Sequence, residues 1–318
     1  MLPGPRTKRR WLRGLLSVAV TAGLLAWLLS RSDLDALGAL FGQLRVEWLL
    51  GAAALIPLQV LLSATRWRRM STDLGLPMSR GRAIREYGLS MFLNQVLPGG
   101  LTGDAVRVWR HRHGHGSIGA PLRAALAERA TGHVAHLLLT LVGLLLWSRV
   151  HPTGPPGGAI GLVLALLGIA LAALALPDRI PGLGSAVRDA RVALGRPDRL
   201  AFHSAISALL LATFLAGFAA SAAALGLHLG WGLVTAIPLV MLVMVVPLSV
   251  GGWGLREASA ATVLAHLGWS TEAALALSSV YGLSVLIGAL PGAVVLRGRR
   301  PQPECGAGSG QGSVGRHR

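Results

Sequence analysis

The 318-residue chain has a single cysteine, Cys305, and a single lysine, Lys8. One thiol excludes an intramolecular disulfide and any cysteine-built metal site. Charge is scarce as well. Only 14% of residues are charged, against about 25% in soluble domains, which excludes an ordinary water-soluble enzyme. Acidic residues are the rarer sign, 13 against 30 basic, for a formal net charge of +17. What abounds is apolar: 53% of positions are hydrophobic and the mean hydropathy is +0.58. These positions fall in blocks of roughly 18 to 25 residues, enough for a helix to cross a bilayer core about 30 Å thick. The short alternating segments of a membrane β-barrel are missing, as is the polar composition of a disordered chain. The composition specifies an all-α, polytopic integral membrane helical bundle.

The arginines mark its topology. They cluster beside apolar segments, where the positive-inside rule and anionic headgroups account for them and a nucleic-acid partner is not needed. Arg6, Lys8, Arg9, Arg10 and Arg13 precede an apolar run from Gly14 to Leu29. No small-x-small cleavage site follows, so this is an uncleaved first span with a cytoplasmic N-terminus. A second span, Val46 to Thr65, stops at Arg66-Trp67-Arg68-Arg69, a cytoplasmic edge with an interfacial aromatic. Further spans run from Thr131 to Trp147, Ala159 to Leu176, Ala201 to Leu227, Leu233 to Leu248 and Ala273 to Leu296, with a surface helix from about Gly184 to Leu194. Tyr87 to Leu97 is too short to cross at about 1.5 Å per residue and reads as re-entrant, and Val250 to Trp269 is interrupted. About eight crossings, with one or two re-entrant segments, place both termini in the cytoplasm of a cell with this protein in its inner membrane. The expected domains are a basic segment 1–13, a membrane domain 14–296 and a disordered cytoplasmic tail 297–318.

Two breaks set glycine and proline beside charge. One is Pro98-Gly99-Gly100-Leu101-Thr102-Gly103-Asp104, running on to Arg107; the other follows Pro247 as Gly251-Gly252-Trp253-Gly254-Leu255-Arg256-Glu257. They occupy corresponding places in the two halves, as in transporters built from repeats, where unwound backbone meets a polar ligand within the membrane. Close helix packing and plain turns are the other reading of these glycines. A charge at the bilayer centre costs roughly 2.5 to 3.5 kcal/mol, so charges beside such breaks are expected in pairs. Neighbours at i and i+1 face different sides of a helix, so Glu128 and Arg129 need partners from elsewhere: Glu128 or Glu257 with Arg107, and Asp104 with Arg129 or Arg256. A plain cytoplasmic surface position is the alternative for Asp104 and Arg107. Arginines held this way, Arg107, Arg129 and Arg256, offer planar forks to phosphate or carboxylate. Asn94 and Gln95 add polar groups beside the first break, and Pro98, Gly99, Gly100, Gly103, Gly251, Gly252 and Gly254 serve as hinges. An anionic phospholipid or polyprenyl-phosphate headgroup fits this set.

His111 and His115 share a helix face at metal-pair spacing, but no carboxylate or cysteine accompanies them, and a solvated basic loop through His113 is the simpler reading. His133 and His136 lie one turn apart on a span, either packed or lining a polar cavity. The chain has no Gly-rich phosphate loop ending in Gly-Lys-Ser/Thr, no His-Glu-x-x-His and no Gly-x-Ser-x-Gly. No catalytic residue, metal or cofactor is expected.

At these motifs the chain resembles the lysylphosphatidylglycerol synthase transmembrane family. The likeness lies in Arg66-Trp67, Leu97-Pro98-Gly99-Gly100 leading to Gly103-Asp104-x-x-Arg107, Glu128-Arg129, Gly251-Gly252-x-Gly254-Leu255-Arg256-Glu257 and Leu290-Pro291-Gly292. It covers about Gly14 to Leu296. The resemblance implies a bundle with re-entrant segments that binds headgroups and moves lipids or lipid-linked molecules between leaflets. Because no soluble domain follows Arg300, use of aminoacyl-tRNA is not expected. Two other functions compete with translocation: a membrane partner subunit docking a soluble enzyme through its basic loops, and a headgroup enzyme with Asp104 or Glu257 as general base. The enzyme reading lacks a nucleophile or metal.

Overall fold

The computed structural model describes residues 5–112, 118–175, 184–245 and 248–296. The expected tail 297–318, the first residues of the basic segment, His113, His115 and Pro247 lie outside the described residues. Among the described residues the chain is helical, with no β-strand. In chain order the helices are α1 (Pro5–Ser30), α2 (Leu34–Gly42), α3 (Val46–Asp73), α4 (Arg80–Val96), α5 (Thr102–His111), α6 (Gly119–Val150), α7 (Ala159–Ala175), α8 (Gly184–Leu194), α9 (Pro197–Ala224), α10 (Gly232–Thr235), α11 (Ile237–Leu242), α12 (Leu255–Ala265) and α13 (Thr271–Ala289), the last continuing as a 3₁₀ turn to Leu296.

Among the described residues, four helices are long and apolar enough to cross a membrane: α3, α6, α9 and α13 with its extension. The first span forms a fifth only if α1 and α2, bent by 100° at Arg31–Asp33, count as one. Asp33 makes the bend, its carboxylate accepting the backbone N–H of Asp35 at 2.9 Å and of Ala36 at 3.1 Å, which satisfies two otherwise orphaned donors at the start of α2. The expected count of about eight exceeds the full-length spans through the shorter apolar helices 159–172 and 232–245 and the broken segment after them.

Several boundaries differ from expectation. Helix α3 runs on through Arg66-Trp67 to Asp73, with Arg66 and Trp67 buried, so these residues are not a surface stop. Helix α6 begins at Gly119, so Glu128 and Arg129 lie inside it. The segment Leu233 to Leu248 is split between α10 and α11, and the apolar piece at Tyr87 belongs to a longer helix that starts at Arg80, capped by Ser79, whose hydroxyl accepts from the Arg82 N–H. Sequence hydropathy misplaced the starts of α4 and α6 because charged residues, Arg80, Arg82, Arg85 and Glu86 in the one and Arg123, Glu128 and Arg129 in the other, interrupt the apolar pattern of their N-terminal turns.

The main apolar core joins α6, α9, α11, α12 and α13 through Leu144, Trp147, Phe218, Ile237, Val240, Leu264 and Tyr281. Lipid is itself apolar, so packing and internal hydrogen bonds must hold such a bundle. Phe218 and Tyr281 stack with ring centroids 3.8 Å apart. At this end the Trp147 indole donates to the Thr153 carbonyl at 2.9 Å, and His151 Nε2 meets Thr235 Oγ1 at 3.0 Å.

The two breaks meet. Helices α4 and α5 form a hairpin around 97–101, closed by Arg110 on Glu86 at 2.6 and 2.9 Å and by Asn94 Nδ2 on Asp104 at 2.8 Å. Pro98 in this turn pairs with Val250 of the second break in an isolated antiparallel bridge. The Val250 N–H donates to Thr21 Oγ1 of α1 at 3.0 Å. Gly99, Gly100, Gly251, Gly252 and Gly254 all have positive φ, from +57° to +95°, conformations that L side chains adopt only with strain.

Candidate functional site

The hairpin delivers charge to the face where α3, α6 and α9 converge. Asp104 sits in the first turn of α5, so Arg107 lies one turn on and reaches back with Nη2 to Asp104 Oδ1 at 2.8 Å. The approach needs Gly103: a Cβ there would overlap the Ser90 carbonyl oxygen and lie 2.9 Å from Asn94 Oδ1, which accepts the Gly103 N–H. From α6, Arg129 binds Asp104 Oδ2, while Glu128, turned to a different side of the helix, meets the cluster from its other end. Glu128 receives Arg66 of α3 through Nε at 2.9 Å and Nη2 at 2.5 Å, and Arg107 at 3.5 Å.

The cross-segment pairs expected from sequence, Glu128 with Arg107 and Asp104 with Arg129, are both present. The cluster therefore holds three guanidinium groups, Arg66, Arg107 and Arg129, against two carboxylates, and carries one positive charge in excess. Arg107 and Glu128 have fully buried side chains, while Arg129 remains 32% exposed. Arg107 is further held between Trp67 and Tyr87, its Cζ 4.5 Å from each ring centroid, a geometry in which both π faces offset part of the desolvation. Its Nε and Nη1 have no hydrogen-bond partner among the described residues.

Beside this cluster lies a cavity of about 270 Å³, lined by Ser63, Arg66, Tyr87, Arg129, His133, His136 and Ser207 on its polar side and by Leu210, Phe214, Met241, Met244 and Tyr281 on its apolar side. His136 is fixed by a 2.9 Å contact to the Pro238 carbonyl, and Ser207 accepts Arg66 Nη1 at 3.0 Å. A second, mostly apolar groove of about 840 Å³ runs between α6 and α9 and is closed by α7 and α8. The two share Ser207 and Leu211.

Arg256 and Glu257 form a separate centre. Despite being adjacent they pair, at 3.2 and 2.7 Å, because Glu257 caps the start of α12: its Oε2 accepts the Gly254 N–H at 2.6 Å while Oε1 faces the arginine. Ser278 of α13 binds both, at 3.0 Å to Arg256 and 2.9 Å to Glu257. The guanidinium lies against Trp253 and Tyr281, and Gly282 leaves it room, since a Cβ there would overlap Nη2. Neither residue lines the cavity; Tyr281 stands between. Neither pairs with Arg107 or Asp104 among the described residues. Asn94 belongs to the first cluster, whereas Gln95 lies against Gly251.

Sequence reasoning passed over Arg66, Trp67, Tyr87 and Ser207. Arg66-Trp67 was visible as a motif, but its arginine run disguised it as a helix end. His111 is buried edge-on against Trp67, with centroids 5.4 Å apart, instead of lying in a solvated loop. Among the described residues no group of three or more His, Cys, Asp or Glu side chains could hold a metal ion.

The family model described as "Lysylphosphatidylglycerol synthase TM region" matches residues 14–292. No curated protein and no solved structure matches the chain.

Proposed function

This chain belongs to the lysylphosphatidylglycerol synthase transmembrane family, and we propose that it binds an anionic phospholipid or other lipid-linked molecule and translocates it between leaflets of the cell membrane, acting by binding and movement without making or breaking bonds. The observation that carries this reading is the excess positive charge beside the cavity. A buried cation without its own counter-ion is costly, and a phosphate supplies both the charge and the acceptors that an arginine fork fits.

Arg129 is the contact group for the incoming anion, because it lines the cavity and is the most exposed of the three arginines. A phosphate competes with Asp104 for it, and release of Asp104 loosens the hairpin that Asp104 ties to Asn94. The paired breaks at Pro98 and Val250 are the hinge through which that loosening reaches α12. Arg256 and Glu257 position this hinge and do not touch the lipid. The proposal carries both termini on the cytoplasmic side, as the positive-inside rule favours for arginine-rich helix ends.

The test is mass spectrometry of lipids retained by the detergent-purified protein, wild type against Arg129→Ala. Enrichment of one anionic headgroup class, lost in the variant, is the expected result. Bulk lipid in equal proportions for both proteins contradicts it and favours a partner subunit that docks a soluble enzyme.

A further inference from the structure

The groove between α6 and α9 is apolar except along one edge. There α9 presents His203, Ser204 and Ser207, and the edge ends at Ser207, where the groove joins the arginine-lined cavity. His203 is 1% exposed, yet neither of its ring nitrogens has a hydrogen-bond partner among the described residues. A buried imidazole left in this state loses its hydration without replacement. Ser207 uses its oxygen to accept Arg66, which leaves its hydroxyl proton to donate elsewhere. His203 and Ser207 are four residues apart, so they stand on one face with Cβ atoms about 5–6 Å apart. The remaining walls, among them Val134, Leu138, Leu211 and Leu215, are hydrocarbon apart from Thr131, whose hydroxyl donates to the Glu128 carbonyl of its own helix at 2.7 Å.

We propose that this groove is the acyl-chain site of an ester-linked glycerophospholipid, with His203 and Ser207 donating to its ester carbonyls. The claim rests on the anionic-headgroup reading above and narrows it. In order along the site stand a cation for the phosphate (Arg129), two donors for the linkage (Ser207 and His203) and an apolar channel for the chain. That order matches the polarity of a glycerophospholipid from headgroup to tail. A polyprenyl phosphate has no ester carbonyl and would leave His203 unsatisfied. The groove runs along the middle of α6, from Leu126 to Leu139.

The test is native mass spectrometry of the purified full chain titrated with three probes of equal chain length: ester-linked phosphatidylglycerol, its ether-linked analogue and ester-linked phosphatidylcholine. Wild type is expected to bind the ester-linked anionic lipid about fivefold to tenfold tighter than the ether analogue, the worth of one or two hydrogen bonds. His203→Leu removes that preference and leaves the melting temperature unchanged or raised, since an unpartnered polar group is lost from an apolar site. Ala212→Trp fills the channel and weakens both anionic lipids, whereas Leu162→Trp on the exposed face of α7 changes neither. Equal affinity for ester and ether lipids, or a preference that survives in His203→Leu, overturns this proposal while leaving the headgroup reading intact. Binding of neither anionic lipid above phosphatidylcholine overturns the headgroup reading itself.

Discussion

The two glycine breaks look alike in sequence and differ in what their charges face. The second break closes on itself: Glu257 caps its own helix, holds its own neighbour Arg256 and is tied by Ser278, all at 1% exposure or less. The first break spreads its charge over three other helices, α3, α4 and α6, and ends at Arg129, which is partly open to a cavity. A balanced, sealed pair fixes geometry, whereas an unbalanced, partly open cluster is the one the proposed function gives to the anion. On the proposed function the second break positions and the first meets the ligand; both carry glycine, arginine and carboxylate, but in opposite order, Gly103-Asp104 leading to Arg107 and Gly254 leading to Arg256-Glu257.

Stability measurements sharpen this contrast. Glu257→Ala strips the cap and leaves Arg256 buried and unpaired, an expected loss of about 3–5 kcal/mol, read as a large fall in melting temperature in detergent. Gly282→Ala drives a methyl group into the Arg256 guanidinium and is expected to cost about 1–3 kcal/mol by overpacking, with lipid retained per folded molecule unchanged. Thr21→Val removes the acceptor for the Val250 N–H, an expected loss of about 1 kcal/mol, which thermal melting again detects. Arg129→Ala has the smallest expected effect on stability, below about 1 kcal/mol as for other partly exposed pairs. If Arg129→Ala destabilises the protein as much as Glu257→Ala, the distinction between the two breaks collapses.

Much of the architecture was legible because the bilayer imposes helices and arginines mark their ends. The breaks were legible too, since proline, paired glycines and charge seldom coincide within apolar sequence, and the i, i+1 rule narrowed the partner of Asp104 to Arg129 or Arg256, of which the structure shows Arg129. That same rule misled at Arg256-Glu257, where a helix N-terminus turns the carboxylate back toward its neighbour. Arg66 was hidden by the arginines after it, which read together as a surface edge. His203 and Ser207 were invisible for another reason: nothing within α9 distinguishes them, and their role depends on α6 and α9 standing apart to leave a groove, which only the packing reveals. The excess of positive charge was likewise beyond reach until α3 was seen to bring Arg66 to Glu128.

The most direct test of the central claim is the rate at which fluorescent phosphatidylglycerol crosses the membrane of proteoliposomes holding equal amounts of folded wild type or Arg129→Ala. The account predicts rapid movement with wild type and a fall of about tenfold or more with the variant, the worth of a charge-assisted hydrogen bond. Equal rates for the two proteins would contradict it.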